Sequence, residues 1–262
     1  MQIFGLIELS YAVLGLGVGL LVGMTGVGGG SLMTPLLILL FGVHPVTAVG
    51  TDLLFAAATK SVGTLVNGFN RTVQWRLVAL LAAGSLPASA LALFLVSKAD
   101  LQAGTTNEVV RILLAVALPV AAVSLVGRQR LRVLTQTRFG DATPRSAAAL
   151  TVVSGAALGV LVSLSSVGAG AVGIVALLLL YPRMPTARIV ASDIAHAVPL
   201  TLLAGLGHSI MGSVSWPTLG SLLAGSVPGI VIGSYASAHV PERLLRTVLA
   251  VTLILVGVKM VL

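Results

Sequence analysis

Apolar runs of bilayer length, separated by short polar breaks, make up most of this chain. A crossing helix needs about 20 mainly apolar residues. The pattern predicts such helices at Ile3–Met24, Val46–Phe69, Leu77–Val96, Val109–Val126, Ala147–Leu164, Ile189–Gly207, Leu219–Ser237 and Leu244–Leu262. None leaves the polar face that a surface helix presents to water. Two further runs, Leu32–Phe41 and Val172–Tyr181, are about half the length of a crossing. Each follows a glycine-rich break, Gly23-Met-Thr-Gly-Val-Gly-Gly-Gly-Ser31 and Ser163-Leu-Ser-Ser-Val-Gly-Ala-Gly-Ala171. The fold class is therefore an all-α polytopic membrane protein.

The two breaks belong to a duplication. At an offset of 141 residues Val49-Gly-Thr-Asp52 matches Val190-Ala-Ser-Asp193, and Val73-Gln-Trp75 matches Val214-Ser-Trp216. Gly84-Ser-Leu-Pro87 matches Gly225-Ser-Val-Pro228 at the same offset, and the glycine breaks and Pro45/Pro185 match at 140. Chance likeness between Leu/Ala/Val-rich helices does not place Trp, Asp and Gly-Ser-x-Pro in one register. The chain divides into a first transmembrane repeat at 1–127, an Arg-rich cytoplasmic linker at 128–145 and a second repeat at 146–262. Each repeat holds three or four full helices and one short glycine-broken helix. A duplicated broken helix is the sequence pattern that points to the binding site of a transporter.

Charge placement bears on topology. If the short segments do not cross, the side holding the linker carries eight basic residues against five. If they carry the chain across, Arg183, Arg188, Arg243 and Arg246 join Arg71, Arg76 and the five linker arginines, leaving Lys98 and Lys259 opposite, eleven against two. The positive-inside rule favours the second arrangement. It makes the tandem halves inverted repeats with both termini outside.

Composition agrees with a membrane protein: 57% of the 262 residues are hydrophobic and 8% charged, against about a quarter charged in soluble domains. The net charge of +8 is concentrated in the linker at Arg128, Arg130, Arg132, Arg138 and Arg145, without interleaved aromatics, so nucleic acid is not an expected partner. There are no cysteines, which removes disulfides and thiol chemistry. The four histidines lack ligand spacing, so neither a metal nor another cofactor is expected. Ile3–Met24 reads as a retained helix rather than a signal peptide.

Gly-x-x-Gly-x-Gly-Gly-Gly, Ser31-Leu-Met-Thr-Pro-Leu-Leu37 and Pro45-Val-Thr-Ala-Val-Gly-Thr51 together resemble the TauE/SafE sulfite exporter family of membrane permeases. The second half is similar in Ser165-Ser-Val-Gly-Ala-Gly170 and Val190-Ala-Ser-Asp193, and the likeness runs from about Gly15 to the C-terminus. It implies transport of small sulfur-containing anions such as sulfite or organosulfonates. The family pattern has serine after the Gly-Thr, where this chain has Asp52, with Asp193 at the matching place.

Two groups of residues can carry that chemistry. Gly28, Gly29, Gly30 and Ser31 precede one short helix, and Ser166, Gly168 and Gly170 precede the other. Helix starts offer unpaired N–H groups and partial positive charge to an anion, and glycine permits close approach. Tight helix packing by small residues is the alternative. The second group is the ionisable set inside spans, costly in hydrocarbon and functional by default. Asp52 and Lys60 are eight apart on one helix, within about 80° of each other, and Asp193 and His196 share a face. His208 aligns with Asn67 of the first repeat. Helix capping could also explain Asp52 and Asp193, and His196 and His208 could exchange protons near neutral pH or simply hydrogen-bond.

The expectation is a non-enzymatic secondary transporter in the bacterial inner membrane, surrounded by lipid bilayer and able to form homo-oligomers. Glycines, Ser31, Ser166 and Lys60 bind a small anion, while Asp52, Asp193, His196 and His208 couple or gate. An anion channel and a non-transporting assembly protein are the alternatives.

Overall fold

The computed structural model describes residues 2–25, 30–69, 72–98, 112–123, 144–168, 170–236, 251 and 254. Among them the chain is all helix with no strand: α1 Gln2–Thr25, α2 Gly30–Phe41, α3 Pro45–Phe69, α4 Trp75–Lys98, α5 Ile112–Val123, α6 Pro144–Ser165, α7 Val172–Leu180, α8 Thr186–Ile210 and α9 Trp216–Ala236. Four of these, α4, α6, α8 and α9, are long and apolar enough to cross a membrane. At 24 and 25 residues, α1 and α3 have the length as well. The 12 residues of α2 and nine of α7 rise only about 18 and 14 Å, less than a hydrocarbon core of about 30 Å. The expected helix at Leu244–Leu262 lies outside the described residues except for Val251 and Ile254, as do Gly28, Gly29 and most of the linker.

Helix pairing follows the sequence repeat. The first helix of each half packs on the fourth of the other: α1 on α9, and α6 on α4. Glycine makes both contacts. A Cβ on Gly15, Gly19 or Gly225 would strike the backbone of Leu222, Ser226 or Ala12. The equivalents Gly155, Gly159 and Gly84 would strike Leu81, Ser85 and Val152. Small residues at these positions let helix backbones touch, which is how helices associate where lipid removes the hydrophobic driving force.

At the centre α3 packs on α8, and the two run antiparallel. The N–H of Ser215, past the end of α8, donates to Thr51 Oγ1 near the start of α3 at 3.1 Å. The N–H of Gln74, past the end of α3, donates to Ser192 Oγ near the start of α8 at 2.9 Å. Each bond is the other moved by 141 residues. Gly50 against His208 and Gly205 against Leu54 extend the same antiparallel contact. The two halves therefore contribute equivalent residues to the contact between α3 and α8. Lys60 lies on α3 between Thr51 and Gln74 in sequence and is buried. The buried apolar residues of α3 and α8 include Leu53, Phe55, Ala197 and Leu200.

Candidate functional site

In each half the short helix lies against the aspartate of the next helix. On the α2 side Asp52 is fully buried. Its Oδ2 accepts the Thr34 N–H at 3.1 Å and the Thr34 hydroxyl at 2.6 Å. On the α7 side Asp193 is 1% exposed and its Oδ1 rests on the Cα of Gly173, where any Cβ would collide with it. The position equivalent to Thr34 is Ile174, which has no hydroxyl, so the two carboxylates share a place and differ in their donors.

Capping does not account for these aspartates. Their helices begin seven residues earlier, at Pro45 and Thr186. Each side chain sits two turns inside its helix, beyond the first-turn N–H groups a capping residue serves. Asp52 acts on α2 instead, a partner that spacing along α3 cannot reveal.

Lys60 joins the halves. It is buried, 3% exposed, and interacts electrostatically with Asp193 and Asp52. Its equivalent in the second half is Thr201, which turns its hydroxyl onto the Ala197 carbonyl of its own helix at 2.7 Å. One ammonium thus serves two carboxylates, and this is where the pseudo-symmetry breaks. His196, also within electrostatic reach of Lys60, shares a 2.7 Å hydrogen bond between Nε2 and Ser85 Oγ. A buried charge survives only when paired or hydrogen-bonded.

The second glycine break is a strained turn. Ser166 has φ 57°, and Gly168 and Gly170 have φ 118° and 123°, values in which glycine meets no Cβ clash. The Gly168 carbonyl accepts the N–H groups of Val172 and Gly173 at 3.2 and 3.1 Å, closing the first turn of α7. Ser166 is buried beside the Asp52 carboxylate. The two side chains interact, although neither Ser166 Oγ nor Asp52 Oδ1 makes a hydrogen bond of full geometry among the described residues. The break of one half therefore reaches the aspartate of the other.

Of the residues expected at the site, Asp52, Lys60, Asp193, His196 and Ser166 are brought together. Gly168 and Gly170 shape the turn, and Gly30 opens α2. Gly28, Gly29 and the Ser31 side chain lie outside the described residues. His208 is on the last turn of α8, where Nε2 donates to the Ser163 carbonyl at 2.9 Å. Sequence reasoning missed Thr34, Ser85, Ser89 and Ser163, the last two sharing a 2.5 Å bond. Isolated hydroxyls in apolar helices read as packing residues, and only their bonds to other helices distinguish them. No group of His and acidic residues able to hold a metal occurs among the described residues.

Residues 11–260 match the family described as "Sulfite exporter TauE/SafE". The chain is 36% identical over 255 residues to "Probable membrane transporter protein YjnA" of Bacillus subtilis (strain 168), covering 97% of this chain and 100% of that one. It is 26% identical over 251 residues to a "Probable membrane transporter protein" of Xylella fastidiosa (strain 9a5c), covering 93% and 91%. No solved structure gives a significant match.

Proposed function

The chain belongs to the sulfite exporter TauE/SafE family, and from that premise we propose that it is a secondary transporter of small sulfur-containing anions. It is a multi-pass membrane transporter; its substrate is sulfite, an organosulfonate or a close relative, moved by ion-coupled alternating access across the bacterial inner membrane. The observation that carries this reading is Lys60, a buried cation on α3 within electrostatic reach of an aspartate from each half. A fixed positive charge at a repeat interface, flanked by two short helices, is the arrangement an anion carrier needs.

The antiparallel contact of α3 and α8 supports inverted repeats, since equivalent helices that span the membrane in opposite directions belong to oppositely oriented halves. In that topology the α2–Asp52 and α7–Asp193 half-sites open towards opposite faces, with Lys60 between them. Substrate passes from one half-site to the other as one glycine-packed helix pair rocks against its counterpart. Lys60, Ser166 and the glycine turns bind the anion; Asp52, Asp193, His196 and His208 couple or gate. Lys60→Ala and Asp193→Asn, reconstituted in proteoliposomes, should each abolish sulfite uptake that the unaltered protein supports. Unchanged uptake in both variants would remove these residues from the site.

A further inference from the structure

Asp52 places its own carboxylate where an oxyanion would bind. Thr34 gives that carboxylate an N–H and a hydroxyl, and Lys60 gives it positive charge. A backbone amide, a hydroxyl and an ammonium are the donors that also recognise a sulfur oxyanion. An ionised carboxylate and a bound anion cannot share them. Two like charges about 4 Å apart repel by about 4 kcal/mol at an effective dielectric near 20.

Two buried atoms indicate how the conflict resolves. Asp52 Oδ1 and the Ser166 Oγ beside the carboxylate are both buried, and the two side chains interact without a hydrogen bond of full geometry. Ser166 holds φ 57° where the first half has Gly26. For a residue with a Cβ this region costs about 1–2 kcal/mol. A serine in such a conformation, rather than a glycine, points to use of the hydroxyl.

The charges facing Asp52 are few. Lys60 shares its helix, Asp193 and His196 on α8 lie around Lys60, and His208 on α8 packs against Gly50. No charged residue or histidine occurs in α2, α7 or α9. Arg76, Lys98, Arg145 and Arg188 are exposed. With both aspartates ionised the buried set carries one net negative charge (two carboxylates, one ammonium), which opposes an incoming anion.

We infer that Asp52 binds the coupling proton and is a tethered competitor of the substrate. Ionised, it occupies the Thr34 donors. Protonated on Oδ1, beside the Ser166 hydroxyl, it is neutral and cedes those donors to the oxyanion. Proton and anion then bind together and leave together, which makes the carrier a proton–anion symporter. The inference rests on the anion-transporter reading above.

The test is binding of methanesulfonate, whose sulfonate stays ionised throughout the working pH range, to the full-length protein in detergent by calorimetry. Linkage between the two sites requires affinity to rise as pH falls, up to about tenfold per pH unit. Asp52→Asn should bind with little pH dependence. A wild-type slope in Asp52→Asn, or pH-independent binding by the unaltered protein, overturns the inference and leaves the transporter reading intact. If Asp52→Asn does not fold, Asp52→Ser serves: it too should bind with little pH dependence, and a wild-type slope overturns the inference. Failure of the unaltered protein to bind methanesulfonate, sulfite, thiosulfate or sulfate at any pH overturns the transporter reading itself, and this inference with it.

Discussion

Thr34 donates both its backbone N–H and its hydroxyl to one oxygen of Asp52, at 3.1 and 2.6 Å, and so ties the short helix α2 to the long helix α3. A buried hydrogen bond to a charged group contributes about 1.5–3 kcal/mol. Thr34→Val removes the hydroxyl bond and keeps the volume. It should lower the melting temperature in detergent, while adding Asp52→Asn should cost little more than either change alone. A double-mutant cycle on denaturation free energies measures that coupling. Additive effects would mean that the contact contributes nothing.

Ser166 separates stability from function. Ser166→Gly relieves the positive φ and should stabilise the fold by about 1–2 kcal/mol, seen as a rise in melting temperature. The same variant loses the hydroxyl beside Asp52 and should slow anion uptake in proteoliposomes. A purely structural serine would give a stabler protein with undiminished uptake.

The glycine contacts make a symmetric prediction. Gly84→Val and Gly225→Val drive side chains into the Val152 and Ala12 backbones at equivalent interfaces. Overpacking of this kind costs about 1–3 kcal/mol or more. Both should reduce the folded fraction on size-exclusion chromatography to a similar extent. Gly220→Ala meets open space and should be neutral or slightly stabilising, because alanine is the better helix former.

Membrane orientation can be read with single cysteines, since the chain has none of its own. Gln74 and Ser215 are half-buried and stand at opposite ends of the α3–α8 pair. In spheroplasts a membrane-impermeant maleimide should label one of Gln74→Cys and Ser215→Cys from outside, and the other only after lysis. Labelling of both from the same side would exclude inverted repeats.

Much of this architecture was legible in the sequence because membrane burial imposes simple rules. Helix-length apolar runs mark α1, α3, α4, α6, α8 and α9, and the offset pairs Asp52/Asp193 and Trp75/Trp216 mark the repeat. The offset also carried spatial content: Thr51/Ser215 and Ser192/Gln74 are the two symmetric contacts of the fold. What spacing along one helix could not show was cross-helix chemistry. Asp52 resembled a cap because Thr51 precedes it, yet its partner is Thr34, eighteen residues away on another helix. Ser85 and Ser163 gave no polar signal in runs where serine also serves as a small packing residue. Lys60 was recognisable as costly, but its position between two repeats depends on the antiparallel crossing.

The most direct test of the central claim is counterflow. Proteoliposomes preloaded with unlabelled sulfite are diluted into trace radiolabelled sulfite, and internal label is followed over time. A carrier that alternates its access accumulates label transiently above the external concentration before it decays, and that overshoot is the predicted result, lost in Lys60→Ala. Label that rises only to equality with the outside would indicate a passive channel. No protein-dependent uptake at all would contradict sulfite transport outright.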